Sequence, residues 1–142
     1  MKYLKKFESK NDINWNQIYG LGLINAIDFD SNVSKVRDLI KQGADINFKD
    51  SDNITPLIIA IKKERHEIID YLIKNGADIN YQDDDGMTPL MHAGEVNSFT
   101  ILQELIKADA DWNIYDDDDY DFFDHTPEDC LDMIKVDYPE KI

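Results

Sequence analysis

Three consecutive aspartates, Asp83, Asp84 and Asp85, stand before Gly86 in IKNGADINYQDDDGMTPL (73–90), and such an acidic run invites comparison with a calcium loop. A calcium loop of the helix–loop–helix kind needs oxygen donors at alternate positions, a glycine sixth and a glutamate twelfth. With Gly86 sixth, the first position is Tyr81 and the twelfth is His92, so the spacing fails. DFDSN at 28–32 alternates its oxygens but has no glycine and no closing glutamate, and reads as a turn between helices. Asp83 is therefore expected to bond the amides of a turn, with Asp84 and Asp85 in water at its tip. No metal ligand is assigned.

Catalytic patterns are equally thin. The three histidines, His66, His92 and His125, and the one cysteine, Cys130, are scattered along the chain. There is no Gly-x-Ser-x-Gly, no phosphate-binding glycine loop and no His-Glu-x-x-His. Cys130 lies in an apolar helical stretch, where a small buried hydrophobe is expected. The sequence reads as a non-enzyme without a cofactor.

IYDDDDYDFFDHTP (114–127) packs six Asp and four aromatics into one short segment. Tyr115, Tyr120, Phe122 and Phe123 are costly to leave in water, and aromatics ringed by Asp117, Asp118 and Asp119 suit an anchor with electrostatic steering toward a basic protein.

Charge points the same way. The 142 residues carry −15, and the distribution is uneven: residues 1–10 sum to +3, whereas residues 109–142 hold thirteen acids against two bases. That field repels nucleic acid and anionic lipid and speeds encounter with a basic surface. The lysines of MKYLKKFESKND precede no apolar run of signal-peptide length, and no window approaches a membrane span. A single cysteine permits no internal disulfide, so a reducing, cytoplasmic setting and a monomer are expected.

These residues need elements to position them, and the elements repeat. LIKQGADINFKD (39–50), LIKNGADINYQD (72–83) and LIKADADWNIYD (105–116) align without a gap at a spacing of 33. NITPL (53–57) and GMTPL (86–90) keep the same period, and HTPEDCL (125–131) echoes them after five extra residues. In each Thr-Pro-Leu the proline suits a first helical turn and the threonine can cap it. Leu57, Ile58, Ala60 and Ile61, then Ile68, Ile69, Leu72 and Ile73, recur at helical spacing. Two short helices cannot bury their apolar faces alone, so stacking into a solenoid is expected.

With Thr-Pro-Leu opening the second and third units and Gly-Ala-Asp closing the first and second, the chain resembles the ankyrin-repeat family over about residues 20–133. The resemblance implies an all-α solenoid of helix-turn-helix units with β-turn fingers and terminal capping helices. The single domain divides into an N-terminal helix or cap (1–21), first repeat (22–47), second repeat (48–80), third repeat (81–113) and a partial capping repeat (114–142). Residues 13–24 are expected to form a helix over the open end. The family's His after Thr-Pro-Leu is Ile58 and Met91 here, and its Gly-His between helices is Glu64-Arg65 and Asn97-Ser98, so those inter-repeat hydrogen bonds are expected to be missing. Asp109, where Gly43 and Gly76 stand in the other units, predicts a looser helix end.

The family grips partner proteins with finger tips and first helices. By position those places are Asp52 and Ile54, then Asp84, Asp85 and Met87 with His92 and Glu95; the acidic segment adds Tyr115, Asp117, Asp118, Asp119, Tyr120, Phe122 and Phe123 as an extended fourth finger. Ile54 and Met87 either tuck against their own helices or join a contact patch. The expected role is non-catalytic binding of a basic protein, with a toxin-neutralising inhibitor as the sharper form. An effector or adaptor acting on host proteins is the alternative, and an enzyme with an unrecognised site stands outside both.

Overall fold

The hydroxyl oxygens of Thr55 and Thr88 accept the amides of Ile58 and Met91 at 3.4 and 3.3 Å, and each threonine is followed by a proline at the first helical position. These caps start the first helix of the second and third units. A computed structural model describes residues 13–30 and 32–141; the first twelve residues of the expected N-terminal cap, Ser31 and Ile142 lie outside the described residues. The helices are α1 (Trp15–Asn25), α2 (Val33–Lys41), α3 (Pro56–Lys62), α4 (His66–Lys74), α5 (Pro89–Glu95), α6 (Phe99–Lys107) and α7 (Glu128–Asp137), and the described residues contain no strand. A π-turn, Ala26–Asp30, continues α1 without a break, and Pro139–Lys141 closes the described chain as a 3₁₀ turn. The stretch expected as a leading helix and the start of the first unit are thus one continuous element.

Each second helix packs on its own first helix and on its predecessor: α4 on α3 and α2, α6 on α5 and α4. The core runs through all units, with Leu23, Ile27, Val36, Leu57, Ile61, Ile69, Leu72, Leu90, Leu102, Leu105 and Ile134 buried in one cluster. A side chain of this kind contributes about 1.5–3 kcal/mol on burial. The N-terminal unit lacks Thr-Pro, and Asn14 replaces it by accepting the Gln17 amide at 3.1 Å. At the other end, positions that are apolar in α3 (Leu57, Ile58, Ile61) become Glu128, Asp129 and Asp132 in α7. All three acids are exposed, the polar outer face that a solenoid needs at its terminus.

The motif GADIN has a mechanical meaning. Asp45, Asp78 and Asp111 each accept the amide two residues on, and Asn47 and Asn80 each accept the backbone amide of the next unit's aspartate, at 2.7 and 2.8 Å. The 33-residue period therefore carries a relay of hydrogen bonds from one unit to the next.

Three expectations are corrected. Asp109 takes φ +60°, and the amide of Ala110 bonds the carbonyl of Leu105 as Ala77 does Leu72 and Ala44 does Leu39, so the third unit ends with the same geometry as the glycine-closed ones. Inter-repeat bonds at the helix–helix turns are present with different donors. Glu64 and Asn97 hold left-handed backbone (φ +52° and +56°), and the Arg65 guanidinium reaches back to the carbonyls of Ile27 and Asp28 at 3.4 and 3.3 Å. Lastly, the fourth finger is not extended. Its tip keeps the 33-residue register, and the five extra residues form a separate turn after it, described below.

Candidate partner-binding edge

Asp50, Asp83 and Asp116 are spaced by 33 and build three identical tips. In each, one carboxylate oxygen accepts two backbone amides: Asp52 and Ile54, then Asp85 and Met87, then Asp118 and Tyr120, all at 2.9–3.1 Å. The fourth residue of every tip is left-handed: Asn53 (φ +55°), Gly86 (+76°) and Asp119 (+65°). Gly86 has a second reason to be glycine, because a Cβ there would stand 2.7 Å from the backbone nitrogen of Asp117.

The tips are fastened to one another. The Asn53 amide donates to both Asp84 oxygens at 3.0 and 3.1 Å, the Tyr81 hydroxyl donates to the Asn53 carbonyl at 2.8 Å, and the Asp117 amide donates to the Asp85 carbonyl at 3.1 Å. Gln82 donates to the carbonyls of Gly86 and Tyr115. Burial and the surrounding aspartates, Asp84 first, push the Tyr81 phenol above its ordinary range, which keeps it a neutral donor.

In the third and fourth units the remaining carboxylate oxygen faces a histidine. His92 Nε2 lies 2.7 Å from Asp83 and His125 Nε2 lies 2.8 Å from Asp116. An ionised carboxylate can only accept, so each ring donates through Nε2. Burial pushes the His92 pKa down against the opposing pull of Asp83, and the Asp116 carboxyl is held below its usual range by the Tyr120 amide and, beyond it, by His125 and the Asp118 amide. Glu95 joins the two dyads, 3.4 Å from His125 Nδ1 and 3.9 Å from His92 Nδ1. In the second unit's finger the place of His92 is taken by Ile59, and Asp50 accepts backbone amides only among the described residues.

Asp52, Asp84, Asp85, Asp117, Asp118 and Asp119 all stand exposed on this edge, with Tyr115 and Tyr120 about half exposed beside the last tip. Glu95 is exposed, and Ile54 and Met87 are half-buried. Two expected contact residues point inward. His92 is 5% exposed because it holds the third finger, and Phe122 is fully buried because the turn after the fourth finger folds it under Trp112, ring centroids 6.0 Å apart. Phe123 stacks on the same indole at 6.0 Å and is half-buried. In that turn Asp121 accepts the Phe123 amide at 2.8 Å. Thr126, which sits where the capping threonines sit, instead donates its hydroxyl to the Phe122 carbonyl at 2.8 Å.

The staples Asn53, Tyr81, Gln82 and Glu95 complete the edge. Of these, only Glu95 was placed at the surface from sequence, and the 33-residue register of Asp50, Asp83 and Asp116 was the signal available for the tips. No group of three His, Cys, Asp or Glu among the described residues is arranged to hold a metal ion, and no helix there is long and apolar enough to cross a membrane.

Comparison with known proteins agrees with this architecture. The family model described as ankyrin repeats, three copies, matches residues 23–116, well over half of the chain. No curated protein matches the sequence. The family is one of protein–protein interaction modules, and its matched units include the first two aspartate tips and all of α2 to α6. The chain belongs to the ankyrin-repeat family.

Proposed function

We propose that this protein captures a basic partner protein on the edge formed by its finger tips, and does so without catalysis. The observation that carries the reading is the fastened row of tips. Six exposed aspartates lie on three turns held in fixed register by hydrogen bonds between neighbouring units. Held rigid, they lose little conformational freedom on binding, and carboxylates of one sign on one edge steer a cationic surface to it. Tyr115 and Tyr120 supply amphipathic rings where the acid density is highest, the residue type that carries binding energy at interfaces.

The net charge of −15 on a small chain favours a dedicated neutraliser of a basic enzyme, acting in the cytoplasm. The partner would bury its cationic surface on the edge and lose access to its own substrate. A test is capture from the source organism's lysate by intact protein and by the Asp117→Asn/Asp118→Asn/Asp119→Asn variant, with bound proteins identified by mass spectrometry as salt is raised. A basic partner held only by intact protein, and inactivated by it at one-to-one stoichiometry, supports the reading. Equal retention by both forms moves the contact away from the fourth tip.

A further inference from the structure

His92 and His125 stand 33 residues apart, and each spends its one ring proton on the carboxylate nine residues before it. A neutral imidazole has a single N–H, so donation through Nε2 leaves Nδ1 as a bare lone pair. The receiving side chains are nearly sealed, Asp83 at 4% and Asp116 at 7% exposure, and their bonds fix both rings in this tautomer. Both bare nitrogens face one side chain: Glu95 Oε1 lies 3.4 Å from His125 Nδ1, and Oε2 lies 3.9 Å from His92 Nδ1. Neither approach is a hydrogen bond, because a lone pair there meets a carboxylate oxygen. Three acceptors are thus gathered without a donor among the described residues.

The sequence places this cluster in two ways. Glu95 follows His92 by three residues and so shares its face of α5. Gly94, where a Cβ would stand 2.9 Å from the His125 carbonyl oxygen, lets α5 come against the fourth unit. The acceptors are reachable from solvent. Glu95 is about half exposed, and Glu104 Oε2 is the one sealed side-chain nitrogen or oxygen without a partner among the described residues, so the two unpaired Nδ1 atoms open to the surface. Around them, Asp83 and Asp116 are committed to backbone amides and to Nε2, and the Tyr120 ring meets His125 edge-on at 6.2 Å. Lys62 of α3 is the chain's own cation on this side: its charge acts on His92, while its side chain lines the groove beside Asp50 and Ile54 of the preceding finger.

We propose that His92 Nδ1, His125 Nδ1 and the Glu95 carboxylate together receive the ammonium of one lysine of the basic partner, a subsite that rests on the proposed capture of such a protein. An ammonium brings three N–H donors to three acceptors and stands about 2.8 Å from each. That reach suits groups 3.4 and 3.9 Å apart. Its compact head on a flexible four-carbon stem also suits a nearly buried nitrogen such as that of His92 better than a planar guanidinium does. The charge-assisted bonds to Glu95 supply the affinity, and the imidazole lone pairs select a cation that carries donors. The exposed aspartates of the tips steer the partner, and this subsite gives one of its lysines a fixed place.

The test follows the imidazole nitrogens by NMR in the full chain carrying isotope-labelled histidine, at about pH 8, above the ordinary imidazole range. The probe is Nα-acetyl-lysine amide, and the uncharged control is Nα-acetyl-norleucine amide. Before addition, Nδ1 of His92 and of His125 should be unprotonated; the lysine compound should then shift both saturably and the norleucine compound neither. Glu95→Gln, a surface substitution, should weaken binding about tenfold, since it keeps an acceptor and removes the charge. A protonated Nδ1 on either ring, unmoved Nδ1 signals, or unchanged affinity of Glu95→Gln would overturn the proposal. So would imidazole signals that respond to Lys62→Gln and not to the probe, because the occupant would then be the chain's own lysine. The Asp117→Asn/Asp118→Asn/Asp119→Asn variant should bind the probe as the intact chain does. Failure of the probe with a partner on-rate that still depends on those aspartates removes the subsite and leaves capture on the finger edge standing; the reverse result removes the finger edge and keeps the subsite.

Discussion

His92 and Asp83 meet at 2.7 Å in the interior, the one donating through its ring Nε2 and the other organising the third finger with its second oxygen. The same separation of nine residues and almost the same distance link His125 to Asp116. Finger shape and helix position are thereby tied together in the two units that carry most of the exposed acids. Asp83→Ala removes the carboxylate that pairs with two amides and the buried imidazole, and should cost about 3 kcal/mol of unfolding free energy. Urea denaturation of the variant measures it; a cost no larger than that of an exposed substitution contradicts the dyad.

The pH dependence follows from His92. Burial holds its folded pKa below the ordinary 6.5, so the unfolded chain takes up the proton first as pH falls. This group's stabilising contribution is intact above about 6.5 and declines as pH drops from there toward the folded value. Equilibrium unfolding from pH 8 to pH 5 should show the wild type losing stability more steeply than His92→Gln. Parallel curves would mean that the ring is not held neutral.

Asp109 keeps φ +60° at a site where the other two units use glycine. Asp109→Gly should stabilise the chain by about 0.5–1 kcal/mol through relief of the left-handed backbone. The exposed pair with Lys141 that is lost contributes little. In the opposite direction, Gly76→Ala (φ +90°) should destabilise by a similar amount. Thermal unfolding reads both signs.

Gly94 allows α5 to approach the fourth unit, since a Cβ there would stand 2.4 Å from Thr126 Oγ1 and 2.9 Å from the His125 carbonyl oxygen. Gly94→Ala should therefore lift the turn at 121–126 and loosen the fourth finger although alanine is the better helix former. Faster hydrogen exchange at Tyr120 and Thr126, together with lower stability, is the expected result; a gain in stability would show the approach to be yielding.

One oxygen of Glu104, Oε2, is buried with no hydrogen-bond partner, and burial pushes its carboxyl above the usual range. The native state thus binds that proton more readily than the unfolded chain. The penalty is present at neutral pH and fades as pH falls through the folded value. Glu104→Gln should raise Tm at pH 7 by a small amount that disappears under mild acid, measured by calorimetry at both pH values.

The helices were legible because Thr55 and Thr88 cap them in sequence and the apolar positions recur with one period. The three tips were legible in the same way, as Asp50, Asp83 and Asp116 keep that period. What sequence left unsettled lies where the period stops. Nothing in FFDH tells that Phe122 is fully buried and Phe123 only half-buried; both rings meet Trp112, ten residues earlier, which the local sequence does not reveal. The burial of His92 was hidden because its partner Asp83 sits in the preceding finger, so a residue of the first helix reads as surface until the finger is folded over it. Asp109 was misjudged because its left-handed cost is small against the packing of Leu105 and Ala110 beside it.

The most direct test of partner capture on the finger edge is the association rate of the captured protein with intact chain and with Asp117→Asn/Asp118→Asn/Asp119→Asn, over about 0.02 to 0.5 M salt, where the screening length shrinks from roughly 20 Å to a few ångströms. Steering by the fourth tip predicts an on-rate about tenfold or more lower for the variant at low salt, with a flatter salt dependence, converging on the wild type at high salt. Identical on-rates at every salt concentration would show that these aspartates do not guide the partner.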